Sequence, residues 1–164
     1  MILNVIVTVA ISSILAVGAG MSTVQIIRQT EAGEEHATVA RQAQNLGFSV
    51  SEDVIMARMI SNTDNTITPD TEFITLVWKD WETGYKYDVR YVWADESADL
   101  KEVFRKQAVY DENGQNLSNV NTLLANNIYT ANLTDTGSAW LLTVEAHSGD
   151  KVAVREYEIN RRVY

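Results

Sequence analysis

The chain holds few side chains able to do acid–base or metal chemistry, and those few lie far apart. Its only histidines are His36 and His147, and neither has a ligand-type companion at metal-binding helical spacing. His36 follows Glu34 and Glu35 and reads as part of a solvated helix face. His147 precedes Ser148-Gly149-Asp150 and reads as an exposed strand end. Cysteine is absent, which removes disulfides, thiolate metal sites, cysteine nucleophiles and the Cys-x-x-Cys-His haem attachment together. No Gly-x-Ser-x-Gly elbow occurs, and Gly18 and Gly20 sit in an apolar run rather than in a phosphate loop. Asp111-Glu-Asn-Gly-Gln-Asn116 superficially resembles a calcium loop, but it lacks the downstream bidentate glutamate, and Asn113-Gly114 accounts for it as a polar turn. No catalytic residue, metal ligand or cofactor is assigned, and the chain does not read as an enzyme. Asn116-Leu-Ser118 and Asn132-Leu-Thr134 match the N-glycosylation acceptor pattern.

A second group of notable side chains is aromatic. Trp78, Trp81, Tyr85, Tyr87, Tyr91 and Trp93 crowd one stretch. A binding or electron-conducting stripe is one reading. Aromatics are also good strand formers that fill a sheet core, and alternation alone predicts them there.

The formal charge of -9 over 164 residues argues against nucleic acid as a main partner, because phosphate binding needs a basic patch. The length suits one domain plus an appended segment.

That segment is the N-terminal run. Met1–Ile27 contains no charged side chain, and Arg28 is the first. As a helix it would be about 40 Å long, enough to span a bilayer core. Ala10, Ala16, Gly18, Ala19 and Gly20 are small and let helix backbones approach closely. A cleavable signal peptide needs a basic first region, and none precedes this run. Two readings stay open: a plain membrane anchor, or a helix that waits in the membrane and later packs against its own copies. Arg28, followed by Glu31, Glu34 and Glu35, is a weak orientation signal compatible with the rest of the chain lying outside the cytoplasm.

The helical pattern continues past Arg28. Val39, Ala43, Leu46, Val50, Val54, Ala57 and Ile60 recur at three- and four-residue spacing, while Arg41, Gln42, Gln44, Asn45, Glu52 and Asp53 read as the polar face. One helix over about Ile2–Met59 is expected, with Gly18 and Gly20 as points of local unwinding near Gly18–Thr23 in an assembled fibre. Ser61–Thr71 reads as a loop. The period then becomes two in Phe73–Trp78 and Tyr85–Trp93, a hairpin across Asp80–Gly84. A further strand is expected in Leu100–Tyr110, a surface loop in Asp111–Asn121, and a second hairpin in Trp140–Ala146 and Val152–Ile159. Leu123–Tyr129 is ambiguous. The sum is four to six short antiparallel strands.

The expected fold class is α+β: a long N-terminal helix, apolar then amphipathic, packed on a C-terminal antiparallel sheet. Its parts are an apolar helix over 1–27, an amphipathic continuation over 28–60 and a sheet-bearing head over 61–164.

This layout resembles the type IV pilins and the pseudopilins of type II secretion. Val5-Ile-Val-Thr-Val-Ala-Ile-Ser-Ser-Ile-Leu-Ala16 is similar to the run following the processing site in prepilins. His36-Ala-Thr-Val-Ala-Arg-Gln-Ala-Gln-Asn-Leu-Gly47 and Ser51-Glu-Asp-Val-Ile-Met-Ala57 are similar to helix segments of bacterial pilin-like proteins. The resemblance implies a pilin-like fold and a homopolymer at the cell surface, embedded in the membrane before assembly. It also implies inner-membrane assembly machinery, a prepilin peptidase and N-terminal methylation. The filament-core side chains would be Met1, Ile2, Leu3, Asn4, Val5, Ile6, Val9, Ile11, Ile14, Leu15, Val17, Met21 and Val24. One departure stands out. Where the family usually carries a glutamate early in the run, this chain has Asn4 and Val5, which suits a minor pseudopilin or a fibre held by packing alone.

Overall fold

The structure is a computed structural model. It describes the backbone of residues 2–62, 72–95 and 100–160. Side chains are described from Met21 onward within those ranges, except at Thr23, Glu31, Ala32, Asn62 and Asp95. Two compact units are present, Met1–Ala37 and Thr38–Tyr164. The division falls inside helix α1, which spans Ile2–Met56.

In the first unit α1 carries helical backbone through Gly18 and Gly20 without a break. Its described apolar side chains Met21, Val24, Ile26 and Ile27 are 50–70% exposed. Among the described residues no helix is long and apolar enough to cross a membrane.

Among its described residues the second unit holds seven strands: β1 (Met59–Asn62), β2 (Glu72–Lys79), β3 (Lys86–Asp95), β4 (Lys101–Tyr110), β5 (Asn116–Asp135), β6 (Ala139–Ser148) and β7 (Lys151–Asn160). They form one sheet in the order β1-β2-β3-β4-β5-β6-β7, every neighbouring pair antiparallel. The β2–β3 turn closes where Asp80 N–H donates to the Tyr85 carbonyl at 2.9 Å. Asp80 Oδ1 accepts the Glu82 N–H at 2.8 Å, and that bond chiefly holds the Asp80 carboxyl below its ordinary range. Gly84 supplies the φ of +73° that the turn needs.

One sheet face is apolar. Ile74, Leu76, Val89, Tyr91, Trp93, Val103, Ala125, Ile128, Leu142 and Val144 are buried there with Val39, Ala43, Leu46, Val50 and Val54 of α1. The helix residues recur at four, three, four and four positions, the spacing of a single stripe. Phe73 stacks on Trp93 with centroids 4.3 Å apart and meets Tyr91 edge-on at 6.2 Å. At Gly47 the helix comes so close to the Tyr157 ring that a Cβ would collide with it.

The expected α+β class is corrected. Among the residues whose side chains are described the structure is mostly β, 57% strand, built on a seven-stranded antiparallel sheet that curls. It is not a long helix laid on a small sheet in the pilin arrangement, and among the described residues of the second unit only Thr38–Met56 of α1 is helical. The expected four to six strands fall short for two reasons. Asn116–Asn121, read as loop, belongs to a strand of 20 residues, because pairing with β4 overrides the turn preference of its asparagines. The helix stops at Met56, and Met59–Asn62 pairs with β2 as β1. Residues 63–71, the rest of the expected Ser61–Thr71 loop, lie outside the described residues.

Candidate functional site

Three places in the second unit bring polar or exposed groups together. The first is a buried clamp between helix and sheet. Asp53, only 8% exposed, faces β3 and β4 from the last turns of α1. Its Oδ2 accepts the Tyr91 hydroxyl at 2.6 Å and Arg105 Nε at 2.7 Å, and its Oδ1 accepts Arg105 Nη2 at 2.9 Å. Arg105 Nη1 donates in turn to Gln107 Oε1 at 2.6 Å. A carboxylate met by a two-pronged guanidinium and a phenol is a strong, directional set. Burial, followed by the Asp53 charge and hydrogen bond, pushes the Tyr91 phenol far above its ordinary range. The hydrogen bond to Asp53 is also the chief cause that raises Arg105. With both carboxylate oxygens engaged, the arrangement fixes the helix on the sheet rather than offering a base to a substrate.

The second place is the opposite sheet face. Arg90 donates to Glu72 Oε1 at 2.8 Å and to Asp88 Oδ1 at 2.9 Å. The bond to Asp88, then that to Glu72, raises the Arg90 pKa. These side chains border an open depression of about 460 Å³ with Lys106, Tyr110 and Asn119. Its charges are mixed and solvated, and such surface pairs contribute little.

The third place is the first part of β5. The ladder to β6 begins only at Ile128, so among the described residues Asn116–Asn126 pairs on one side alone, with β4. The first eight residues of β5 are all exposed, including Leu117, Val120 and Leu123 at 47–48%.

The residues singled out from sequence are dispersed. Met1, Ile2, Leu3, Asn4, Val5, Ile6, Val9, Ile11, Ile14, Leu15, Val17, Gly18 and Gly20 lie outside the described side chains, whereas Met21 and Val24 are described and exposed. Asn116 is exposed and exchanges side-chain amide hydrogen bonds with Asn119 at 3.1 and 3.0 Å. Asn132 is half-buried opposite Thr143. His36 is exposed. His147 is more enclosed than a strand end suggests: its ring stacks on Tyr129 at 4.6 Å, and Nε2 lies 2.7 Å from Glu145 Oε1. The Asp111 carboxylate is taken up by its own turn, accepting the N–H groups of Asn113 at 2.9 Å and Gln115 at 2.7 Å. No group of three or more His, Asp or Glu side chains able to hold a metal occurs among the described residues.

The aromatics divide. Tyr91 and Trp93 are core, and Trp78 stacks on Tyr87 at 5.3 Å. Trp81 is 79% exposed under the Arg58 guanidinium, 4.7 Å from its ring centre. Sequence reasoning missed the clamp by assigning Asp53 to the polar helix face. Its distance of three from Val50 and seven from Leu46 is the signal that places it on the buried stripe.

No family model, no curated protein and no solved structure matches the chain.

Proposed function

We propose that the chain is a structural subunit of an extracellular type IV pilus-like filament, polymerising through the apolar N-terminal run of α1. One observation carries the reading. The run is free of charge through Ile27, and its described part exposes Met21, Val24, Ile26 and Ile27 around the helix rather than along one stripe. An all-round apolar helix needs apolar surroundings on every side. Lipid supplies them before assembly, and other copies of the same helix supply them afterwards. Leaving lipid removes about 15 apolar side chains from their surroundings, at roughly 1.5–3 kcal/mol for each large one, so transfer must be coupled to immediate burial against neighbours. The small residues Ala10, Ala16, Gly18, Ala19 and Gly20 suit close helix approach. A head-to-tail contact of this kind grows open helical polymers.

The likeness to type IV pilins rests on this leading run and not on the head. Asn4 and Val5, in place of an acid, favour a minor, pseudopilin-like subunit of a short fibre. An asparagine can accept a hydrogen bond from a neighbour's amine but brings no charge.

Electron microscopy of surface material from cells expressing the chain tests the reading. Fibres containing the wild-type chain, and their loss in Val9→Asp, are expected. Fibres that persist in Val9→Asp would refute packing through α1. Wild-type chains found only as detergent-held monomers would point instead to an anchored binding domain.

A further inference from the structure

Among the described residues three edges of the sheet, those of β1, β7 and the first part of β5, are not alike. β1 is only four residues long. β7 carries Lys151, Arg155, Glu156 and Glu158 along its length. Short edges and charged edges are the usual defences against pairing with another chain. The overhanging part of β5 has neither defence. From Asn116 to Thr134 there is no charged side chain and no proline. The ladder to β4 is regular from Ser118 to Leu123, so this part of β5 is held extended while its other side stays unpaired.

The sequence of that edge reads nearly the same in both directions: Leu117-Ser118-Asn119-Val120-Asn121-Thr122-Leu123. We propose that this edge pairs antiparallel with the same edge of a second copy, about a two-fold axis through Val120. In that register Val120 faces its counterpart, Asn119 faces Asn121, Ser118 faces Thr122, and Leu117 faces Leu123. Each is a favourable cross-strand pair: aliphatic with aliphatic, hydroxyl with hydroxyl, amide with amide, and no like charges meet. A two-fold contact uses one patch on both partners and closes on itself. It therefore cannot extend a polymer. In a fibre built through α1 it would join two fibres side by side.

The test uses the full chain in detergent micelles. Because the chain has no cysteine, each variant carries a single thiol. Directly opposed residues of antiparallel strands lie about 4.5–5.5 Å apart at Cα, inside the disulfide range. Under mild diamide oxidation, Val120→Cys is expected to give at least about tenfold more covalent dimer than Val154→Cys on β7, an equally exposed position. Ser118→Cys alone is expected to stay monomeric, whereas Ser118→Cys mixed with Thr122→Cys is expected to cross-link. Val120→Lys places two ammonium groups face to face and is expected to weaken dimerisation in sedimentation at least about tenfold, with unchanged circular dichroism. Equal cross-linking of Val120→Cys and Val154→Cys would overturn the proposal. So would efficient cross-linking of Ser118→Cys alone, or a Val120→Lys dimer as tight as wild type. Adding Val9→Asp to Val120→Cys is expected to leave the covalent dimer intact, which separates this contact from assembly through α1.

Discussion

Two stretches of α1 carry aliphatic side chains and meet different surroundings. In Thr38–Met56, Val39, Ala43, Leu46, Val50 and Val54 are at most 4% exposed. Upstream, Met21, Val24, Ile26 and Ile27 are at least half exposed. Residue type does not separate the two groups, but spacing does. The first group lies on one stripe, and one sheet face covers a stripe completely. The second turns around the helix axis, and no single surface within a chain can cover it. The same kind of side chain therefore builds the folded core in one place and, in the other, is left for the association proposed above.

The sharpest way to break this comparison is to truncate one residue from each group. Leu46→Ala is expected to lower the unfolding free energy of the head by about 2–5 kcal/mol, the cost of a buried cavity. Val24→Ala is expected to leave it within about 0.5 kcal/mol. Urea unfolding of the full chain in detergent, followed by tryptophan fluorescence, reads both. Equal losses would mean that the upstream group is also part of the folded core. Next in size, Asp53→Ala is expected to cost about 2–3 kcal/mol in the same assay, because it strips Arg105 and Tyr91 of their shared acceptor. A neutral result would show that the apolar stripe alone seats the helix.

The smallest effect is a pH dependence. Burial and Asp53 raise the Tyr91 pKa above the ordinary 10.0, so the folded state favours the neutral phenol. That contribution is complete below pH 10.0 and is lost as pH rises from there through the folded value. Thermal midpoints should fall more steeply above pH 10 in wild type than in Tyr91→Phe. Matching slopes would remove Tyr91 from the clamp.

Both hairpins, β2–β3 and β6–β7, follow from alternation around Asp80–Gly84 and Ser148–Asp150, and the helical stripe follows from its spacing. These are local patterns, and local patterns survive in one dimension. The weight of the fold toward strand was not legible, for β5 is rich in residues that suit turns as well as strands. Only its pairing with β4, a non-local fact, decides between them. β1 escaped because four residues carry too little periodicity. Asp53 escaped because its charge outweighed its position. Of the candidate sites, the charge-free run is visible as composition, whereas the open side of β5 becomes visible only once the extent of β6 is known.

The strand order also bears on how the head recovers from damage. Every ladder joins strands that are consecutive in the chain, so each closes a short loop and none waits for a distant segment. A hairpin pulled open leaves its neighbour in place as a template, and the separated strand is still tethered beside it. Repair is then a matter of re-zipping rather than of finding the topology again.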